Sequence, residues 1–405
     1  MKVSTHSLAG SEVVSGGTLA LTSENTMLIE QKRWTDTTGW RVSRTTDDMR
    51  PPQLVLFFGA PEALAIPATL EALRVDYPTA SIVGCSTAGE ICETQVDDGS
   101  IVATAIHFEH TRVRTACHPL ADARDSASVG ERIARDLASD DLTHVFVLAE
   151  GLQVNGSELV TGLRTGLPAT VAVTGGLAGD GARFKQTSVY CGGQIGRGAV
   201  AAIGFYGDRL RVGYGSMGGW DSFGPDRLVT RAVANVLYEL DGSSALELYK
   251  KYLGPHGATL PASGLLFPLS LRGETGEPRV VRTILGIDED AGSLVFAGDI
   301  PEGGFARLMK ANVDRLIDGA HGAATACYEP LGTTTPSLAI LISCVGRKLV
   351  LKQRTQEEVE SVRTVLGEDT VLSGFYSYGE IAPFAASTRC ELHNQTMTIT
   401  TLTEP

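Results

Sequence analysis

One short phrase recurs along this chain and narrows what the chain can fold into. Gly84-Cys85-Ser86-Thr87-Ala88-Gly89-Glu90-Ile91 returns as Gly374-Phe375-Tyr376-Ser377-Tyr378-Gly379-Glu380-Ile381, with glycines, glutamate and isoleucine at the same spacing. A looser third copy reads Gly175-Gly176-Leu177-Ala178-Gly179-Asp180. Each copy is preceded by an apolar run (54–58, 144–148 and 338–344), a helical pattern and a short apolar strand, and is followed by another strand-like run (102–108, 200–206 and 397–403). Self-similarity of this kind marks one supersecondary unit used several times. The expected class is α/β, with mixed and antiparallel sheets flanked by helices and the Gly-rich turns gathered near a common site.

A chain of 405 residues can bury a large core and is expected to form two or more domains. With 43% hydrophobic and 20% charged residues, extended disorder is not expected. No apolar run approaches the roughly 20 residues a membrane helix needs. The opening residues lack the apolar block of a secretory signal, so a cytoplasmic location is expected. Seven cysteines without repeated CxxC spacing suggest reduced thiols rather than a disulfide framework or zinc module. The net charge of −13 opposes binding to phosphate backbones, so nucleic acid is not an expected partner.

Along the chain, 1–28 reads as an N-terminal arm. Pro67 should interrupt a helix over 61–77. The runs 101–108 and 111–117 look like antiparallel neighbours. Val129, Ile133 and Leu137 predict a helix over 125–139. Five glycines within 213–224 imply that backbone passes close to a neighbour. Leu228, Ala232, Val236 and Leu240 predict an amphipathic helix, and Ser244 with Glu247 caps a second one ending at Gly254. The stretch 255–264 is the expected linker, dividing 29–254 from 265–405. A further helix is predicted over 301–318 with Gly319 as its stop, and Thr355 with Glu358 forms another capping box.

Taken together, 84–91, 175–180, the Gly-Trp-Asp-Ser-Phe-Gly run at 219–224, 238–242, 374–383 and 393–396 give a chain that resembles the FIST family over roughly 34–403. The resemblance implies an N-terminal FIST domain (29–254) and a C-terminal one (265–405). It implies a non-enzymatic, small-ligand sensor that passes its state to a histidine kinase or cyclic-di-GMP enzyme. One branch of that family carries haem and senses nitric oxide. No output domain is visible here, so a separate partner is expected.

His393 is the preferred haem iron ligand, beside Tyr376 and Tyr378 at a strand start. A histidine followed by Asn394 and Gln395 also suits a structural role, tying down a loop by hydrogen bonds. His107, His110, His118 and His144 are weaker candidates. Glu90, Asp180 and Glu380 stand at matching places and suit either a ligand or their own loop amides. The ligand pocket is expected between the first and third turns, from Gly84, Cys85, Ser86, Thr87, Glu90, Gly176, Asp180, Ser377, Gly379, Glu380 and Asn394. A metabolite such as an amino acid is the alternative ligand. A hydrolase or transferase using Cys85 or Ser86 is the rival from another class, and it needs a base within hydrogen-bond reach. A ligand-free scaffold is the third, and it predicts a filled interface between the turns.

Overall fold

The computed structural model, which describes residues 26–272, 280–332, 334–383 and 389–405, turns the repeat into three units of one topology. The first runs β1 (Leu28–Thr35), β2 (Gly39–Thr45), β3 (Leu54–Gly59), α1 (Pro61–Leu64), α2 (Pro67–Asp76), β4 (Ser81–Ser86), β5 (Glu90–Cys92), β6 (Gln95–Asp97) and β7 (Ile101–His107). The second runs β8 (Arg112–Pro119), α3 (Ser126–Leu137), β9 (Leu142–Ala149), α4 (Gly156–Gly166), β10 (Ala172–Leu177), β11 (Val189–Cys191), β12 (Gln194–Gly196) and β13 (Ala199–Tyr206). The third opens with β14 (Arg211–Met217) and is then interrupted by β15 (Asp221–Ser222), β16 (Arg227–Val233), β17 (Val236–Leu240), β18 (Ser243–Ser244), α5 (Ala245–Leu253), β19 (Leu269–Arg272), β20 (Val280–Arg282), β21 (Ile284–Asp288), β22 (Ser293–Phe296) and β23 (Phe305–Lys310). It resumes with α6 (Val313–Ala326), α7 (Tyr328–Leu331), β24 (Leu338–Cys344), α8 (Val345–Leu351), α9 (Thr355–Leu366), β25 (Val371–Ser377), β26 (Gly379–Pro383), β27 (Cys390–His393) and β28 (Met397–Thr403).

No unit keeps its own hairpin. The three sheets run β12-β11-β4-β3-β7-β1-β2, β27-β26-β10-β9-β13-β8 and β6-β5-β25-β24-β28-β14, so each closes with a hairpin from a different unit. The second unit lends its hairpin to the first sheet, the third unit to the second sheet and the first unit to the third sheet. This is a closed cycle of exchange. At the centre of each sheet lies a parallel pair, β3/β4, β9/β10 or β24/β25, joined by a helical crossover. Both faces of those pairs are covered, which is why β3 reads Leu-Val-Leu-Phe-Phe-Gly with every residue buried.

Glycine is required at one place in each unit. A Cβ on Gly84, Gly175 or Gly374 would stand 2.3, 1.9 or 1.9 Å from the carbonyl oxygen of Phe57, Val147 or Leu341 across the parallel pair. In the 213–224 stretch, Gly215 and Gly219 press likewise on Ala323 and Arg315 of α6, and the Trp220 indole donates to Gln395 O at 2.9 Å. The interrupting segment forms its own nine-stranded sheet, docked where Arg282 Nη1 donates to Leu392 O at 2.9 Å.

Several local expectations give way to tertiary structure. The run 101–108 does not pair with 111–117: β7 lies inside the first sheet, between β3 and β1, and β8 edges the second. Between them the Glu404 carboxylate accepts the amides of Glu109, His110 and Thr111 and turns the chain away. The stripe Leu228, Ala232, Val236, Leu240 lies on the hairpin β16–β17, not on a helix. A spacing of four satisfies a two-residue period as well as a helical one, and the β-branched residues between favour the strand. Over 301–318 the chain makes β23 first, and Asn312 Oδ1 caps α6 by accepting Arg315 N at 3.3 Å. Gly319 sits inside α6, where a Cβ would meet Gly218 O at 2.2 Å. Glu358 does not close a capping box, because its carboxylate is taken by Arg347, Ser343 and Tyr376. The stretch 255–264 runs as 3-10 turns between α5 and β19, and strands on either side of it share one sheet. Cys117 and Cys191 form a disulfide between β8 and β11, where reduced thiols were expected. The arm over 1–28 lies outside the described residues up to 25.

Candidate functional site

The Gly-rich turns do converge, and they bond to one another through backbone. Gly179 N donates to Ser86 O at 2.9 Å and Gly181 N to Thr87 O at 3.2 Å. Ala88 N donates to Tyr376 O and Tyr376 N to Gly89 O, both at 2.8 Å, and Tyr378 N reaches Leu177 O at 3.2 Å. Side chains fill what backbone leaves. Cys85, Ser86, Thr87, Glu90, Asp180, Ser377, Glu380 and Asn394 are all buried.

Two of the three carboxylates do identical work. Glu90 accepts from the Thr87 hydroxyl and from Ser100 N and Oγ, both at 2.9 Å. Glu380 accepts from Ser377 Oγ at 2.6 Å and from Thr396 Oγ1 and N at 2.8 and 3.2 Å. Burial pushes each carboxyl up to about 7, against the lowering effect of these bonds. Asp180 binds the amides of Phe184, Lys185 and Gln186 at 2.8 to 2.9 Å and takes the Tyr378 hydroxyl. Each therefore serves its own loop or its neighbour turn. Gly176 and Gly379 complete the contact, a Cβ on Gly176 meeting Ile342 at 2.8 Å and Gly379 O at 3.1 Å. Asn394 Nδ2 lies 3.4 Å from Tyr378 O. The space expected to hold a ligand is occupied by protein.

His393, Tyr376 and Tyr378 are each hydrogen-bonded to a protein group. His393 Nε2 lies 2.8 Å from Ala382 O, a group that only accepts, so that nitrogen carries the proton. Burial lowers this imidazole to about 4. Tyr376 donates to Glu358 Oε1 at 2.7 Å, and Tyr378 donates to Asp180. Burial holds both phenols protonated, well above their ordinary value, which disfavours tyrosinate as a ligand. The three side chains thus have three different partners, Ala382, Glu358 and Asp180. His144 bonds Thr174 Oγ1 at 2.9 Å, His118 bonds Asp136, and His107 bonds Pro51 O. His110 lies at the surface, in the turn held by Glu404. Among the described residues no group of three or more His, Cys, Asp or Glu is placed to hold a metal ion.

The rival nucleophiles are equally enclosed. Cys85 lies in an apolar cluster with Phe58, Val83 and Val189, and burial pushes its thiol well above the ordinary range. Ser86 Oγ accepts Ser188 N at 2.9 Å.

Open space lies elsewhere, at the seams where hairpins cross between units. A cavity of about 820 Å³ is bounded by α4 and the approach to β10 on one side, by the hairpin β26–β27 on another and by β14 on a third. Arg164, Val173, Tyr214, Pro383, Arg389 and Cys390 are among its walls. A smaller one of about 240 Å³ sits at the corresponding seam of the first sheet, between Arg74, Ile82, Tyr190 and Gly192. Sequence reasoning missed these arginines. Their signal was available, because Arg74, Arg164 and Arg363 precede Gly84, Gly175 and Gly374 by ten or eleven residues.

The chain matches the FIST N domain over residues 53–243 and the FIST C domain over residues 245–383. It is 24% identical over 274 residues to an uncharacterized protein of Methanocaldococcus jannaschii, a match covering 61% of this chain and 52% of that relative. The chain thus spans about half the length of this curated relative. Among the described residues no helix is long and apolar enough to cross a membrane.

Proposed function

The chain belongs to the FIST family, whose domains are signal-transduction sensors, and on that premise we propose that it is a small-metabolite sensor with its ligand in the cavity between α4 and the hairpin β26–β27. One observation carries this. The cavity has walls from both matched domains, α4, β10 and β14 from FIST N and the β26 end of the hairpin from FIST C. An occupant there touches both, and any change in how the hairpin seats on β10 changes how the halves meet. A ligand shifts that equilibrium only by its different affinity for the two arrangements.

The signal passes to a separate protein of the histidine kinase or cyclic-di-GMP enzyme class, and the sensor performs no chemistry of its own. The ligand is a metabolite rather than haem at His393, whose ring is committed to Ala382. A thermal-shift screen of the full chain against a metabolite library tests this. At least one compound should raise the unfolding midpoint by several degrees, and a Leu167→Trp change in the cavity wall should abolish that rise. A rise that survives Leu167→Trp unchanged contradicts this site.

A further inference from the structure

The three seams are related by register, and one of them displays a solved version of the problem the 820 Å³ cavity poses. Gly84, Gly175 and Gly374 pair with Tyr190, Ile381 and Ile91 of the incoming hairpins. Two residues further along the hairpin stand Gly192, Pro383 and Glu93. In the third sheet the Glu93 carboxylate fills this place. It pairs with Arg363 from the last turn of α9 and with Arg44 at 3.2 Å, and Leu372 N lies 3.3 Å from its Oε1. In the second sheet the same place holds Pro383, which has no carboxylate and no N–H, and there the 820 Å³ cavity opens. Around it the counterparts remain: Arg164 from the last turn of α4 stands for Arg363, and Val173 for Leu372. Arg389 supplies a second guanidinium. Arg164 is partly engaged by Glu391 at 3.1 Å, whereas Arg389 is exposed.

We infer that this cavity takes a small molecule bearing a carboxylate, which sits beside Pro383 as the chain's own Glu93 sits at the third seam. An arginine fork matches a carboxylate with two parallel hydrogen bonds, so the chemistry is specific to that group rather than to negative charge alone. The rest of the ligand extends along the polar wall formed by Thr161 and Thr165. This assignment rests on the sensory role proposed above and names the ligand class for the same site.

The test uses the full chain with acetate, succinate, glutamate and citrate as probes, each beside its uncharged amide, by isothermal titration. Expected is binding of at least one carboxylate, none of its amide, and a loss of tenfold or more in Arg389→Ala. Arg389 is exposed, so that variant keeps the fold. Pro383→Glu provides the independent check: it places a carboxylate in the cavity and should abolish binding while leaving the far-UV spectrum unchanged. Binding of a carboxylate that survives both substitutions overturns the site. If no carboxylate binds but an uncharged metabolite does, and Leu167→Trp blocks it, the ligand class is wrong while the sensor stands. If neither charged nor neutral probes bind, both fall.

Discussion

Glu90 and Glu380 show how a residue can stand out in a sequence for one reason and matter for another. Both mark the repeat, and both are spent on holding a turn to the start of the next strand. Because burial raises each from 4.5 to about 7, the folded chain binds more protons than the unfolded one between those values. Stability therefore falls as pH rises through that window. Replacing both with glutamine keeps the hydrogen-bonding shape and removes the proton. Urea denaturation at pH 5 and pH 8 should show the wild type losing more stability over that interval than the double variant, by up to about 3 kcal/mol per carboxyl. Equal losses contradict the assignment. The bland role of these carboxylates was legible in the sequence, since a turn carboxylate bonds its own loop wherever hydroxyls and amides are near. The partner of His393 was not legible, because Ala382 is eleven residues away and meets it only through the pairing of β26 with β27.

Among elements, the exchanged hairpins carry the architecture, and each is held by an arginine at the end of a helix. Arg74 reaches Tyr190 Oη at 2.8 Å, Arg164 reaches Glu391, and Arg363 reaches Glu93. Arg363→Ala leaves the half-buried Glu93 with only Arg44 and Leu372 N. Amide exchange in β5 and β6 is expected to quicken at least tenfold while β24 is unchanged; quickening spread evenly over the third sheet contradicts a local clasp. The unit itself, strand, helix, strand, Gly-rich turn and strand, was readable from its recurrence, and so were α3 and the break at Pro67. Which sheet each hairpin joins was not readable, because a repeated sequence fits its own unit and its neighbour equally well. The β16–β17 hairpin was misread for a related reason, a spacing that two periods share.

At the scale of the molecule, exchange interlocks the two matched domains through shared sheets. The third sheet draws β14, β5 and β6 from residues within the FIST N match and β24 and β25 from within the FIST C match. Residues 53–243 expressed alone would lack the hairpin β26–β27 and leave the hairpin β5–β6 and the strand β14 without the sheet they join, exposing strand edges that favour aggregation. That fragment should show no cooperative unfolding transition, and a sharp one would contradict the cycle of exchange. On the reading proposed above, the same interlocking would let one cavity report to both halves. Hydrogen exchange of the full chain with and without the ligand recovered from the screen tests this most directly. Protection is expected together in α4, at the start of β10 and in β26–β27, on either side of the boundary between the matched domains. Protection confined to one side of it would mean that the ligand does not couple the halves.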